Sequence, residues 1–503
     1  MFGAKCWELS ENERRAVNEY KERKGLPLSQ SVTFGDLELE ERYSDTRSRS
    51  VITDFSAKLS GGVVLETPFV SANMPDVTGV ELATAMAREG GFWFLPQFLP
   101  LERRLWMLEL IRRTDCAFIE NPLTVLPGAS LKDAKEIMRR YGVSGLILVE
   151  NGSPVDILTK RDWKYETDDN KTVSSLAGGR KKAGGLIIAN RSISFVEAGR
   201  ILRENRIEKL PLVDESGKLA GLITANGLFY AAHHPRATRD SKGRFLLAGS
   251  VGVGESFTQE HIADVEAQIA KGISVLLIDT ARGFAINMKE AITTVRRLFP
   301  ELTIVAGNIS SASGAKALFE WGADVVKVNQ GRGHVCRTSE NGYGKGQVTA
   351  IAEAKAIADI YGRQVMADGA MTSPGDCIKA IVAGADTLMS GFLFVRAKES
   401  AAPTMLNREG FPVKAYRGSA SFAAQEERIR HGTLDRLRRP EGVDDEKVPV
   451  VGSLREVMQD LLDGFRSAMT MGGIERLADA STLSFKLQSR AGYLEGTKEH
   501  LRK

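Results

Sequence analysis

The stretch 327–338, KVNQGRGHVCRT, carries the residues whose types and spacing could do chemistry. An apolar run leads into Gly331-x-Gly333, and Cys336 follows three residues later, with Thr338 two beyond it. Glycines let a backbone turn tightly and bring its amides and carbonyls close to a ligand. A lone cysteine on a loop after a parallel strand can act as a nucleophile where backbone dipoles favour its thiolate. Most free cysteines are inert small hydrophobes, so the loop alone leaves both readings open. Other apolar runs also end in small or polar residues: Ser71 and Asn73, Asp279 and Thr280, Gly307 and Asn308, Asp368 and Gly369. Taken singly, each reads equally well as a strand-end cap.

The elements that must position these residues are short apolar runs at 68–73, 91–97, 245–253, 275–281, 303–308, 325–329, 365–370 and 387–393. Each is followed by an amphipathic stretch. Near-continuous apolar strands alternating with helices signal a parallel β/α architecture. Eight of them fit a (β/α)8 TIM barrel, an α/β fold that places its chemistry at the strand C-termini. An open doubly wound sheet shares the local pattern.

The gap between the second and third runs, 115–237, holds an internal repeat at an offset of 64: SLKDAKEI at 130–137 matches SFVEAGRI at 194–201. GLILV at 145–149 matches KLPLV at 209–213, and Leu158-Thr159 matches Ile223-Thr224. Each copy reads helix, strand, short turn, strand, and two copies are too few for a solenoid. The expected organisation is therefore a barrel from 1–114 and 238–503 interrupted by an insert at 115–237. An Arg-rich run at 425–440 with little apolar periodicity suggests a flap at about 419–445.

Composition narrows the function. The 503 residues carry a net charge of only +4, which gives no mandate for nucleic acid or a membrane surface. Four cysteines (6, 116, 336 and 377) are too few for a disulfide scaffold and lack metal-ligand spacing, and the six histidines form no HExxH pairing. No apolar run reaches about 18 residues, and the N-terminal stretch lacks a signal-peptide core. A cytoplasmic enzyme is the expectation.

Several segments together resemble the IMP dehydrogenase/GMP reductase family, nearly end to end: TFGDLELEERYSDTRSRS (33–50), PFVSANMPDVTG (68–79), VLLIDTARG (275–283), IVAGNISSASGAKALFEWGADVVKV (304–328), GQVTAIAEA (346–354), ADGAMTSPGD (367–376), KAYRG (414–418), EGV (441–443) and GFRSAMTMGG (464–473). The insert resembles a Bateman module, a CBS pair, which IMP dehydrogenases carry at this place. The resemblance implies a nicotinamide-dependent oxidoreductase, using NADPH or NAD, that works on C2 of a purine nucleotide. It gives Cys336 covalent attack on C2, forming a thioimidate, and gives Thr338 and Glu441 the associated proton transfer. It places Asp368 on the substrate ribose. Ser71, Asn73, Arg332, Gly333, His334, Gly369, Gly391 and Tyr416 line the rest of the substrate site, and Asp279, Thr280, Gly307 and Asn308 the cofactor site. A potassium-type monovalent cation would take carbonyls of Gly331, Gly333 and Cys336, with Glu495 and Gly496 from a neighbouring subunit of a homotetramer or octamer. Thr159 and Asp162 would hold an adenine nucleotide effector; the second copy, Thr224 to Gly227, lacks the matching Asp. An insert serving only structure or oligomer contact is the competing reading.

The sequence departs from the family in ways that bear on direction and substrate. IMP dehydrogenases carry an Arg-Tyr pair in the flap to activate water, and none lies between Tyr416 and Glu441; the nearest are Arg428-Ile429 and Arg430-His431. That short interval, SPGD (373–376), RSAMT (466–470) and LPQFLP (95–100) resemble GMP reductases, the last those of actinobacteria that contain CBS pairs. The CBS insert and the tail from 487, LQSRAGYLEGTKEH, resemble IMP dehydrogenases. The balance favours reduction of GMP to IMP and ammonia, with the dehydrogenase direction (IMP, NAD and water to XMP) as the alternative and a silent nucleotide-sensing paralogue as a third reading. Where the family cradles phosphate, His334, Ala370 and Phe392 replace Ser, Gly and Ser, and a Phe cannot supply the lost hydroxyl bond. Arg332 and His334 are candidate replacements. Met74-Pro75-Asp76 and 282–285 (RGFA) also differ from the family's Met-Asp-Thr and His-Gly-His-Ser.

Overall fold

The computed structural model describes residues 7–60, 62–177, 185–240, 243–430 and 434–496. Cys6, His431 and the tail from 497 lie outside the described residues, as do 431–433 of the expected flap. The chain divides into two compact units: Met1–Glu109, Arg236–Thr238 and Leu246–Lys503 form the first, and Leu110–Pro235 with Arg239–Phe245 the second.

The first unit is built on eight parallel strands: β1 (Phe69–Ser71), β2 (Phe92–Trp93), β3 (Leu247–Val251), β4 (Ile273–Asp279), β5 (Thr303–Ile309), β6 (Val325–Val328), β7 (Gln364–Asp368) and β8 (Thr387–Ser390). They pair in the order β3-β4-β5-β6-β7-β8-β1-β2, a nearly closed barrel. β2 and β3 share no ladder, and a side chain bridges that seam instead: the Ser250 hydroxyl donates to the Leu95 carbonyl at 2.5 Å. Six of the nine residue pairs that join β4 to β5 and β5 to β6 are Val, Ile, Leu or Ala opposite one another, which is why these strands read as continuous apolar runs. Val70, Phe92, Ala248, Val275, Leu277, Val305, Val325, Met366 and Met389 fill the barrel, and a hairpin of Ala57–Ser60 and Val63–Leu65 adds Leu59 and Leu65 to that core.

Helices follow the strands and set their spacing. Ala312–Trp321 after β5 starts at the cap Ser311, and Pro374–Ala383 after β7 starts at a capping box of Ser373 with Asp376, Pro374 occupying its first turn. The helix that completes the ring, Leu454–Met471, packs closely enough on Pro374 that a Cβ at Gly464 would stand 2.2 Å from the proline's Cβ. Residues 425–440 behave differently from their sequence pattern, since Phe422–Arg430 is helical. Its charged residues lack apolar periodicity because only Gln425 in that helix is buried.

The second unit contains the two repeat copies. In one, the helix Leu131–Tyr141 is followed by antiparallel strands Gly145–Glu150 and Ser153–Thr159; in the other, Phe195–Glu204 is followed by Lys209–Val213 and Leu219–Thr224. The helices start at equivalent caps, Ser130 accepting from the Asp133 amide and Ser194 from the Glu197 amide, each at 3.2 Å. Each copy has its own core, around Leu146, Leu148 and Leu158 in the first and Leu210, Leu212 and Ile223 in the second. The copies are joined within the unit by the Leu219 amide on the Gly152 carbonyl and Lys209 Nζ on the Ser144 hydroxyl, both at 2.9 Å. Among the described residues no helix is long and apolar enough to cross a membrane.

Candidate active site

Cys336 stands on the loop that leaves β6. Gly331 adopts φ +75, where a Cβ would meet the Ser339 amide at 2.9 Å, so the turn requires glycine. The Cys336 amide donates to the Gly333 carbonyl at 3.0 Å. A second segment is strapped across this loop. Cys336 pairs with Gly442 in an antiparallel bridge, the Arg337 amide donates to the Glu441 carbonyl at 2.7 Å, and the Val443 amide to the Val335 carbonyl at 3.0 Å. That backbone pairing carries the Glu441 side chain, distant in sequence, to the cysteine.

The result is a line of three side chains. The Cys336 thiol faces Thr338 Oγ1 at 3.3 Å, and the Thr338 hydroxyl donates to Glu441 Oε2 at 3.1 Å. Asn341 Nδ2 donates to the other carboxylate oxygen at 2.9 Å and fixes its plane. Cys336 is half-buried, whereas Cys116 and Cys377 are buried and their thiols are pushed up by that burial. The line is a path by which a proton can pass from a group near the sulfur to a carboxylate.

A cavity of about 1310 Å³ opens beside Cys336, Thr338 and Glu441 at the C-terminal ends of the strands. Its floor is polar. Lys327 of β6 is buried between Asp279, at the end of β4 (2.9 Å), and Asp368, at the end of β7 (2.7 Å). Burial works against the ammonium, yet the two carboxylates outweigh it and hold its pKa above the ordinary lysine value. Asn73 Nδ2 donates to Asp279 at 2.9 Å and Asn308 Nδ2 to Asp368 at 3.0 Å, while Asn329 Nδ2 bonds the Asp368 carbonyl. Gln97 Nε2 reaches Asp279 at 3.4 Å. The amide oxygens of Asn308 and Gln97 are buried without a protein partner, and both residues line the cavity. Two such acceptors suit a ligand carrying N–H or O–H donors, as a carboxamide and ribose do.

One wall is aromatic. The rings of His334 and Phe392 lie 4.2 Å apart, and His334 stacks on Tyr416 at 6.3 Å. The Tyr416 hydroxyl approaches Gly391 so closely that a Cβ there would sit 2.2 Å from it. Burial, then Asp368, Asp76 and Cys336, pushes the Tyr416 pKa up, so it stays a neutral phenol. Ala370 holds φ +64, a left-handed conformation that glycine adopts more easily.

Most of the residues singled out from sequence meet here: Asn73, Asp279, Thr280, Asn308, Gly331, Arg332, Gly333, His334, Cys336, Thr338, Asp368, Gly369, Gly391, Tyr416 and Glu441 all line the cavity. Ser71 and Gly307 do not. Ser71 is fully buried, and its hydroxyl accepts from Thr78 at 2.9 Å. Gly307 is packed so tightly against β6 that a Cβ would stand 2.5 Å from the Lys327 carbonyl. Arg332 is exposed and its Nε donates to the Lys345 carbonyl at 3.3 Å. Glu495 and Gly496 end the helix Arg490–Gly496 and line no part of the cavity, which that helix reaches through Tyr493. Thr159 and Asp162, in the second unit, form a capping box: Asp162 Oδ2 accepts from the Thr159 amide at 2.6 Å and hydroxyl at 2.7 Å. Sequence reasoning left Lys327, Gln97, Asn329 and Asn341 without roles. Lys327 had a signal, because a lysine inside a four-residue buried strand must have partners; Asn341 had none.

A parallel β/α barrel with a carboxylate-floored cavity at its C-terminal mouth has the form of a barrel enzyme. The profile of the IMP dehydrogenase / GMP reductase domain matches residues 31–500. Inosine-5'-monophosphate dehydrogenase of Aquifex aeolicus is 35% identical over 478 residues, covering 93% of this chain and 95% of that protein. The enzyme of the same name from Nitrosopumilus maritimus is 34% identical, covering 93% and 98%. Among solved structures, a cysteine-to-alanine variant of Trypanosoma brucei GMP reductase in complex with guanosine 5'-monophosphate superposes with a TM-score of 0.84 at 29% identity, covering 93% of this chain and 98% of that one. The same enzyme with guanosine 5'-triphosphate gives a TM-score of 0.75 at 27% identity, covering 93% and 100%. The chain belongs to the IMP dehydrogenase/GMP reductase family and is an NAD(P)-dependent oxidoreductase.

Proposed function

We propose that this enzyme works at C2 of a purine ring in the GMP reductase direction. The Cys336 thiol passes its proton through Thr338 to the Glu441 carboxylate, the thiolate attacks C2 of a guanine ring, and Glu441 returns that proton through Thr338 to the 2-amino group, which leaves as ammonia. A nicotinamide cofactor, NADPH in this direction, supplies hydride to C2 when bound beside the floor. Collapse of the resulting adduct returns the thiolate and releases the inosine-type product. The observation that carries this reading is the Cys336–Thr338–Glu441 line, with its 3.3 and 3.1 Å contacts opening on one cavity. The fit of the cofactor is supported by the unpaired amide oxygens of Asn308 and Gln97. Asp368 and Tyr416 would hold the ribose side of the substrate, and Asp279, Asn73 and Thr280 the ring and nicotinamide riboside.

One observation favours the dehydrogenase direction. Arg428 lines the same cavity, stacked with its Cζ 3.7 Å from the Phe98 ring centroid, and burial followed by Arg438 lowers its pKa. A half-buried guanidinium of this kind suits assistance to water attack. Following absorbance at 340 nm separates the two: loss with guanine substrate and NADPH supports the reductase, growth with IMP and NAD supports the dehydrogenase, and silence in both refutes C2 chemistry.

Three further assignments belong to the same reading. The paired copies of the second unit support a CBS pair, and Asp162 Oδ1 would meet an adenine nucleotide's ribose. Backbone carbonyls of Gly331, Gly333 and Cys336, with Glu495 and Gly496 of a neighbouring subunit, suit a hard monovalent cation such as potassium in a homotetramer or octamer. A cytoplasmic location accords with free thiols at Cys116, Cys336 and Cys377.

A further inference from the structure

The family profile begins at residue 31, so the segment before it lies outside the part of the chain shared with the family. That segment is built onto the barrel. The helix Glu11–Arg23 starts at a capping box of Ser10 with Glu13, and Glu13 also pairs with Lys316 of the helix Ala312–Trp321 at 2.9 Å. Lys316 Nζ donates in addition to the Glu8 carbonyl at 3.4 Å, and the Tyr20 hydroxyl donates to the Ala383 carbonyl at 3.1 Å. These bonds hold the segment along the outer helices and set Trp7 edge to face against Trp321, with ring centroids 5.3 Å apart.

Trp7 also meets the loop that leaves β4. That loop runs from Asp279 to the helix Ile286–Leu298, whose N-cap is Ala285, a residue with no side-chain oxygen for the first amides. Such a start can be held by a hydrophobic staple, in which the residue before the cap packs on the fourth residue of the helix. Here those two residues are Phe284 and Lys289, and Trp7 joins them. Its ring meets Phe284 edge to face at 6.4 Å, and Lys289 Nζ lies 5.9 Å from its centroid. Trp7 itself is half-buried and does not line the cavity, whereas Thr280, Ala281, Arg282, Ile286 and Asn287, on the loop and the first helical turn, do.

We infer that Trp7 is a positioning residue for the nicotinamide cofactor, holding through Phe284 and Lys289 the loop that presents Thr280, Arg282 and Asn287 to the cavity. The inference rests on the cofactor placement proposed above, beside Asp279 and Thr280. It gives the segment before the family domain a part in the reaction without contact with either ligand.

NADPH oxidation at 340 nm with GMP, on the full-length enzyme, reads the effect. Trp7→Ala should raise the KM for NADPH about three- to tenfold, the worth of an aromatic edge contact, while kcat and the KM for GMP stay within about twofold. Trp7→Phe, which keeps an aromatic edge, should recover most of that loss. Adding Phe284→Leu to Trp7→Ala should raise the KM no further, because the two side chains act as one contact. In the ligand-free proteins, amides of 280–290 should exchange with deuterium about threefold faster or more in Trp7→Ala, with 327–338 unchanged. A smaller rise in the KM for NADPH, equal rises for GMP and NADPH, or exchange at the parent's rate would each overturn the inference. Should Trp7→Ala not fold, Phe284→Leu alone is held to the same thresholds. If the parent oxidises no NADPH with GMP, the reductase reading fails, and calorimetry with NADPH and NAD then decides. Binding of whichever nucleotide the parent takes, weakened about threefold or more in the variant, sustains the inference; a smaller change, or no binding by the parent, overturns it.

Discussion

Replacing Glu441 by Gln tests the proton path with little change in shape. Thr338 donates to one carboxylate oxygen at 3.1 Å and Asn341 to the other at 2.9 Å, so a carboxylate satisfies both donors at once. A glutamine accepts on one oxygen only, and its NH₂ must face either Asn341 or Thr338 as a second donor. Positioned acid–base groups contribute roughly 10²–10⁴ in rate, and the variant loses both the proton and the alignment of Thr338. We expect kcat to fall about 10²–10³-fold, or about 2.7 to 4 kcal/mol at ~1.36 kcal/mol per tenfold, with KM changed less than about threefold. Stopped-flow absorbance at 340 nm with saturating substrate and cofactor measures this. Thermal denaturation checks that the fold is kept, since the backbone bond from Arg337 to the Glu441 carbonyl does not depend on the side chain. A fall of less than fivefold in kcat, in a folded protein, would refute the path.

Other consequences are more local. Lys327→Met leaves the Asp279 and Asp368 carboxylates facing each other across the floor without their shared cation, and should destabilise the barrel by about 3 kcal/mol in urea unfolding; an unchanged midpoint contradicts the pairing. Burial lowers the Lys24 pKa from 10.5 to about 8, with Nζ bonded to the carbonyls of Ser481 and Leu483. The unfolded chain therefore binds more protons between these two values, so this group makes stability rise with pH across that window and adds about 3 kcal/mol by its top. Lys24→Met should flatten that rise, and an identical pH profile in both proteins would contradict the burial. Ala370→Gly relieves a left-handed alanine at φ +64 and should raise stability by about 0.5–1 kcal/mol in chemical denaturation; destabilisation would show that the alanine methyl matters more than the strain.

The barrel was legible in sequence because strands buried on both faces cannot hide their composition. Each of the eight apolar runs overlaps a barrel strand, and the polar residues at their ends, Asn73, Asp279, Asn308 and Asp368, converge on one floor. The repeat was legible too, since Ser130 and Ser194 each begin a helix at the same point of a duplicated unit. Two things were not. The helix Phe422–Arg430 buries one glutamine, so its sequence carries no period of 3.6 to detect. The partners of long-range contacts were equally hidden: nothing local tells that Asn341 meets Glu441, or that Phe392 meets His334, because those distances are set by how loops from different strands fold over the mouth. Ser71 shows the opposite error, a polar strand end that turns inward to Thr78.

The most direct trial of the account is chemical: quench the enzyme in acid during turnover with guanosine or GMP and NADPH, digest it, and weigh the peptide carrying residue 336. A purine adduct on Cys336, absent from the Cys336→Ala protein together with all NADPH oxidation, is the predicted result. Continued reduction by the alanine variant, with an unmodified peptide in the parent enzyme, would contradict it.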